Sequence, residues 1–213
     1  MKNIIKDDIR KAHLDVIDKR IKQGKSILII GKLGSGKTEL LKQIRPKKKA
    51  IAYPESLGPL HYLLGSILKR LDYNYTPKKT KIMEYLEIIC SIKNAVIIID
   101  EADDIRQEIY PYIKRIMNAG IPVIYAGLPA LKTRLKEKHV DILCRVKILN
   151  LPPVNVEEFK KILPQFEPDA LEVVYGASSG NMHYFNDICD DCLDKMSELK
   201  LEKVNMDIVG MFI

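Results

Sequence analysis

The sequence predicts an α/β protein: a five-stranded parallel sheet between two layers of helices, followed by a small all-helical segment. Three observations predict it. Short apolar runs alternate with stretches of helical spacing across residues 1–151. Gly31-Lys32-Leu33-Gly34-Ser35-Gly36-Lys37-Thr38 matches the pattern G-x-x-x-x-G-K-[ST] at each fixed position and lies between a strand and a helix. Beyond Pro152-Pro153 the strand-like runs stop and only helical spacing continues.

The elements follow in order. Ile5, Ile9, Leu14, Ile17 and Ile21 are spaced for an amphipathic helix over 5–23. Ser26–Ile30 is a short apolar run, read as a buried strand. After the glycine-rich loop, Glu39–Ile44 continues as a helix until Pro46 stops it. Residues 50–53 form a short second strand, and 57–71 a helix with Leu60, Leu64, Ile67, Leu68 and Leu71 on one side. A polar loop over 72–79 leads to a helix at 81–92. The run Ala95–Ile99 reads as a central strand buried on both faces. A helix over 105–117, irregular near Pro111, precedes a fourth strand at 121–125; 131–138 is helical and 145–151 a fifth strand. Helices over 156–163, 170–175, 182–196 and 204–211 complete a bundle of about 60 residues, small for an independent folder. The expected domains are 1–151 and 152–213.

The loop motif carries the first chemistry. Glycines let backbone N–H groups turn inward around a polyphosphate, and the helix start adds partial positive charge. Gly31 to Thr38, with Glu39 next to them, form the expected nucleotide-binding set. Lys37 is placed to reach the β- and γ-phosphates, and the Thr38 hydroxyl to ligate Mg²⁺. Roughly 60 residues downstream, the strand at 95–99 ends in Asp100-Glu101. The C-terminal edge of a parallel sheet is where ligands bind. Asp100 is expected to hold the metal shell through water, and Glu101 to polarise an attacking water as general base. Adjacent acids suit a hydrolytic ATPase better than a nucleotide kinase or small GTPase, which need no base beside the metal aspartate.

Composition bounds the rest. The chain has 213 residues, 46% hydrophobic and 30% charged, enough for a sizeable core. No apolar run approaches the roughly 18 residues of a membrane span, and the charged N-terminus lacks a signal-peptide block, so an intracellular, cytoplasmic location without membrane contact is expected. Net charge is +7 and uneven. Residues 1–49 hold 15 Lys/Arg against 5 Asp/Glu, so +10; residues 153–213 hold 5 against 12, so −7. The basic half suits nucleic acid, and opposite-sign ends suit head-to-tail assembly of subunits. No Arg/Lys tract is interleaved with aromatics. Cys189 and Cys192 have metal-like spacing, but no second pair accompanies them, so helix-face thiols are the expected reading, with a zinc site or a local disulfide as alternatives.

The order of motifs resembles the AAA+ ATPases: phosphate loop, strand ending Asp-Glu, Gly127-Leu128-Pro129-Ala130-Leu131, Arg145 before a last strand, then a helical lid. Within that family, Cys144–Pro153 and Ser179-Gly180-Asn181 before a long helix are similar to origin-recognition initiators and transposon target-selection regulators. The resemblance implies an ATP- and Mg²⁺-dependent switch that hydrolyses ATP, forms homo-oligomers and assists a DNA transaction or a DNA-processing partner. It implies that Arg145 is the arginine finger acting on a neighbour's γ-phosphate, with Arg134 the competing candidate. It places His183 where the lid usually carries a nucleotide-sensing arginine; a histidine is only partly charged at neutral pH. The fourth strand ends Tyr125-Ala126-Gly127, without the polar sensor expected there. Adenine is implied, and no Asn-Lys-x-Asp guanine-reading motif occurs. A weakly catalytic or non-catalytic ATP-binding adaptor that recruits a protein partner is the alternative, and a phosphotransferase a further one.

Overall fold

The computed structural model describes residues 7–46, 50–55, 57–74, 76 and 78–213. The chain divides into two compact units. One runs from Ile9 to Gly31 and from Lys37 to Leu151; the other comprises Pro152–Ile213, the loop tip Lys32–Gly36 and, at its start, Asp7 and Asp8. Ile5, the first residue of the expected N-terminal helix, lies outside the described residues, as do 47–49 and two positions of the loop at 72–79.

The larger unit holds a five-stranded, wholly parallel sheet in the order β2-β3-β4-β1-β5. Its strands are β1 (Ser26–Ile30), β2 (Ala50–Ala52), β3 (Ala95–Ile99), β4 (Val123–Gly127) and β5 (Val146–Asn150). β1, β3 and β4 are buried throughout, covered on both faces by helices. The edge strands β2 and β5 are partly open.

The pleat sorts the side chains with a period of two. Ile27, Ile29, Val96, Ile98, Ile124 and Ala126 point to one face, where they meet Ile17 and Ile21 of α1 (Asp8–Lys22) and Leu40 and Leu41 of α2 (Lys37–Lys42). Leu28, Ile30, Ile97, Ile99, Val123 and Tyr125 point to the other. That face is covered by α3 (Leu60–Arg70), α4 (Ile82–Ser91), α5 (Tyr110–Asn118), α6 (Pro129–Lys138) and α7 (Val140–Leu143).

Several boundaries differ from the sequence reading. α2 already ends at Lys42, with single turns closing at Gln43 and Ile44. The helix expected over 105–117 is broken. Two 3₁₀ turns, Ala102–Asp104 and Gln107–Ile109, precede α5, which starts beside Pro111, a position where proline's missing N–H is harmless. The fourth strand lies two residues later than expected, because Pro122 cannot donate to a ladder; its carbonyl instead accepts from the Ile97 N–H. α7 was not expected at all.

The smaller unit packs α8 (Val156–Ile162), α9 (Pro168–Ser178), α10 (Met182–Glu198) and α11 (Met206–Val209) around their own core. Phe159 and Phe185 stack there with centroids 4.4 Å apart. Asn155, Asn181 and Asn205 cap α8, α10 and α11 by accepting backbone N–H groups. Ser179 and Gly180 both take left-handed backbone, which reverses the chain between α9 and α10.

Candidate functional site

The phosphate-binding motif leaves β1 at its C-terminal end. Gly31 donates to the Gly127 carbonyl at the end of β4, at 3.2 Å. Gly34 and Gly36 sit at φ +72° and +82°, a region that side chains disfavour, so these two glycines make the loop. At the tip, the Ser35 N–H donates to the Lys32 carbonyl, while Lys32 and Leu33 are exposed. Within the smaller unit Gly34 lies directly against the start of α10. A Cβ there would stand 2.3 Å from the Met182 nitrogen and 2.8 Å from the Asn181 Cα.

α2 starts at Lys37. The Lys37 Nζ donates to the Gly31 carbonyl at 2.9 Å. Partial burial holds its ammonium below the usual lysine range, against the pull of the nearby Asp100, Asp103 and Glu101 carboxylates. Thr38 follows, and its hydroxyl donates to Asp100 Oδ2 at 2.6 Å, bridging 62 residues of sequence. Glu39 points outward and pairs with Lys42 at 2.6 Å.

The acids stand where β3 leaves the core. Asp100 accepts three donors: the Thr38 and Tyr53 hydroxyls on Oδ2, at 2.6 and 2.8 Å, and the Glu101 N–H on Oδ1, at 3.0 Å. Burial, then the hydrogen bond to Asp100, raises the Tyr53 phenol well above its ordinary value, so it remains a donor. Glu101 has left-handed backbone, φ 49° and ψ 41°, and its side chain is exposed. Non-glycine residues in that region cost on the order of 1–3 kcal/mol and persist only where their surroundings hold them.

What holds Glu101 is the turn that follows it. Arg134 of α6 donates to the carbonyls of Asp103 and Ala102, at 2.6 and 3.0 Å, and to the Tyr110 hydroxyl at 3.1 Å. Both terminal nitrogens of Arg134 are thus engaged within the larger unit. The Asp103 carboxylate accepts the Leu128 N–H at 2.7 Å and lies over Gly127, where a Cβ would come within 2.7 Å of it. The end of β4, lacking a polar side chain of its own, is therefore covered by an acid from β3's loop.

Arg145 is elsewhere. Ser26 pairs with Val146, so Arg145 sits at the N-terminal edge of the sheet, opposite the edge that carries Gly31 and Asp100. It is exposed, with Nε donating to Asn118 Oδ1 at 3.3 Å and Nη1 to the Asp141 carbonyl. His183 is exposed near the start of α10, and its N–H donates to the capping Asn181. Cys189 and Cys192 are free thiols buried in the helical core, and burial pushes them up to about 12 and about 11. Among the described residues no group of three or more His, Cys, Asp or Glu side chains is arranged to hold a metal. The hard oxygens of Thr38 and Asp100 suit Mg²⁺, which characteristically takes one or two protein ligands and completes its shell with phosphate and water.

Tyr53, Asp103 and the clamp role of Arg134 escaped the sequence reading. The signals were faint: a tyrosine at the end of a short strand, and a third acid after Asp100-Glu101.

A family model described as an AAA domain matches residues 19–135, more than half of the chain. The protein belongs to the AAA domain family. Among curated protein sequences, none matches it. Solved structures share the fold of this AAA domain protein. The Aeropyrum pernix ORC2 protein, in ADPNP–ADP complexes, superposes with a TM-score of 0.75 at 17% identity over 99% of this chain and 69% of that one. The Aeropyrum pernix ORC1 protein in complex with DNA gives 0.74 at 13% identity, over 95% and 64%. The Thermotoga maritima RuvB Holliday junction branch migration motor gives 0.57 at 18%, over 97% and 68%. The AAA domain chain thus spans about two thirds of the length of these proteins. No helix among its described residues is long and apolar enough to cross a membrane.

Proposed function

We propose that this protein is a Mg-ATP-dependent molecular switch that hydrolyses ATP and assists a DNA transaction. The observation that carries the reading is the 2.6 Å hydrogen bond from Thr38 to Asp100, which joins the phosphate loop to the acid at the end of β3. In this reading residues 1–151 are the nucleotide-binding domain and 152–213 its lid. The loop amides of Gly34 to Thr38 and the Lys37 ammonium take the β- and γ-phosphates. Thr38 and Asp100 would hold Mg²⁺, which when bound would supply charge neutralisation at those phosphates. Glu101, exposed and held in left-handed backbone, orients the attacking water and takes its proton. Arg145 cannot reach its own subunit's site from the opposite sheet edge, so its finger role requires a second copy, supplied in a homo-oligomer. His183 is the lid's candidate phosphate donor. A DNA role is supported by the +10 charge of residues 1–49 and by the likeness in fold to an ORC1 protein bound to DNA. A cytoplasmic location is part of this reading.

The test is ATP hydrolysis with and without single- and double-stranded DNA, read together with mass in solution. Glu101→Gln is expected to leave ATP binding intact and to lower turnover by about 10²- to 10⁴-fold. Equal turnover in Glu101→Gln removes the assigned base. The unpolar end of β4 favours a second reading, an ATP-binding adaptor that recruits a protein partner; tight Mg-ATP binding with no phosphate release, indifferent to DNA, selects it.

A further inference from the structure

We propose that Tyr53 is a positioning residue that makes Asp100 a one-site acceptor and so selects Mg²⁺ over larger cations. The inference rests on the Mg-ATP reading above. A carboxylate has about four lone-pair positions. On Asp100, both positions of Oδ2 are taken by the Thr38 and Tyr53 hydroxyls, at 2.6 and 2.8 Å. One position of Oδ1 is taken by the Glu101 N–H at 3.0 Å. Among the described residues, a single acceptor position remains, on Oδ1.

This arrangement has a direct chemical consequence. Ca²⁺ is commonly bound by bidentate carboxylates in shells of six to eight oxygens, whereas Mg²⁺ keeps several waters and needs few, fixed protein oxygens. An Asp100 with Oδ2 saturated cannot offer two oxygens to one cation. Thr38 alone does not produce this state, because its hydroxyl leaves one Oδ2 position open. The Tyr53 hydroxyl closes it from the neighbouring strand: β2 pairs with β3 in register, Ala52 beside Ile97, so Tyr53 leaves the sheet at the same edge as Asp100. The phenol ring is partly buried and rigid, and it brings its hydroxyl to Asp100 across 47 residues of sequence. Partners of this kind, which touch a ligating group rather than the metal, often set affinity as strongly as the ligands do.

The test is Tyr53→Phe, which removes only the hydroxyl. Binding of a fluorescent ATP analogue is titrated with Mg²⁺ and, separately, with Ca²⁺, and repeated in EDTA. The expected result is a rise of roughly tenfold in the Mg²⁺ half-saturation point. The Ca²⁺ value is expected to stay or to improve, the EDTA affinity to match the wild type, and the melting temperature to fall by no more than about 4 °C, the loss of one hydrogen bond. An unchanged Mg²⁺/Ca²⁺ ratio overturns the proposal while leaving the Mg-ATP reading standing. Loss of analogue binding in EDTA, or a large fall in melting temperature, also overturns it, since Tyr53 then acts on the fold. Absence of any metal dependence in the wild type removes both readings together.

Discussion

Arg134→Met separates an internal clamp from an arginine finger. Arg134 makes three hydrogen bonds within its own unit: to the Ala102 and Asp103 carbonyls and to the Tyr110 hydroxyl. Methionine keeps most of the side-chain volume and removes all three donors. At a net value near 1 kcal/mol per bond, the loss is about 3 kcal/mol. For a chain of this length, each kcal/mol shifts the melting temperature by about 2–4 °C, so a fall of about 6–12 °C is expected. The clamp also holds the turn after Glu101, and a relaxed turn lets Glu101 leave its left-handed backbone. Turnover is therefore expected to fall together with stability, in the monomer as much as in any assembly. Thermal unfolding followed by circular dichroism, with phosphate release measured on the same preparation, checks both effects. A shift under about 2 °C combined with lost turnover would refute the clamp and return Arg134 to the phosphates.

Two further predictions concern glycine and charge. Gly34→Ala places a methyl 2.3 Å from the Met182 nitrogen on backbone already at φ +72°, so both the loop tip and the start of α10 must shift; at least a tenfold loss of ATP affinity is expected in equilibrium binding, and wild-type affinity would show that the tip need not hold this geometry. Arg145→Ala removes an exposed side chain, so stability is expected within about 1 kcal/mol of the wild type and ATP binding unchanged, while turnover falls by on the order of 10³-fold at concentrations where light scattering shows an assembly; full turnover in the assembled variant excludes the trans finger.

The contrast between what the sequence announces and what it hides follows from the range of each interaction. β1 and β3 are readable because a strand covered on both faces is apolar along nearly all of its length, and that leaves an unbroken run such as Ile97-Ile98-Ile99. The phosphate loop is readable because its glycines answer a local backbone need. β4 was misplaced by two residues. Ala126 and Gly127 are poor strand formers by themselves, yet they pair with Ile29 and Ile30 because β1 lies alongside. α7 has four residues, too few to show a period. Tyr53 and Arg134 act across 47 and about 31 residues of chain, between elements whose adjacency is set by the sheet order and the packing of α6, neither of which has a local signature.

These long-range ties explain how a strained residue survives at the sheet edge. Upstream of Glu101, Ile98 and Ile99 are buried and cannot move without opening the core. At Asp100 the side chain is fixed by three donors from three segments of chain. Downstream, Arg134 grips the carbonyls of residues 102 and 103, and the Asp103 carboxylate is fastened to the Leu128 N–H. A cost on the order of 1–3 kcal/mol at Glu101 is thus opposed by several bonds of about 1 kcal/mol each, on both sides of it. The acid is exposed to solvent while its backbone is over-determined. The general-base role proposed for Glu101 would draw on both properties, an accessible carboxylate and a backbone that fixes where its side chain starts. A surface acid that merely ends a strand has no need of the left-handed turn, the arginine clamp or the Asp103 tie.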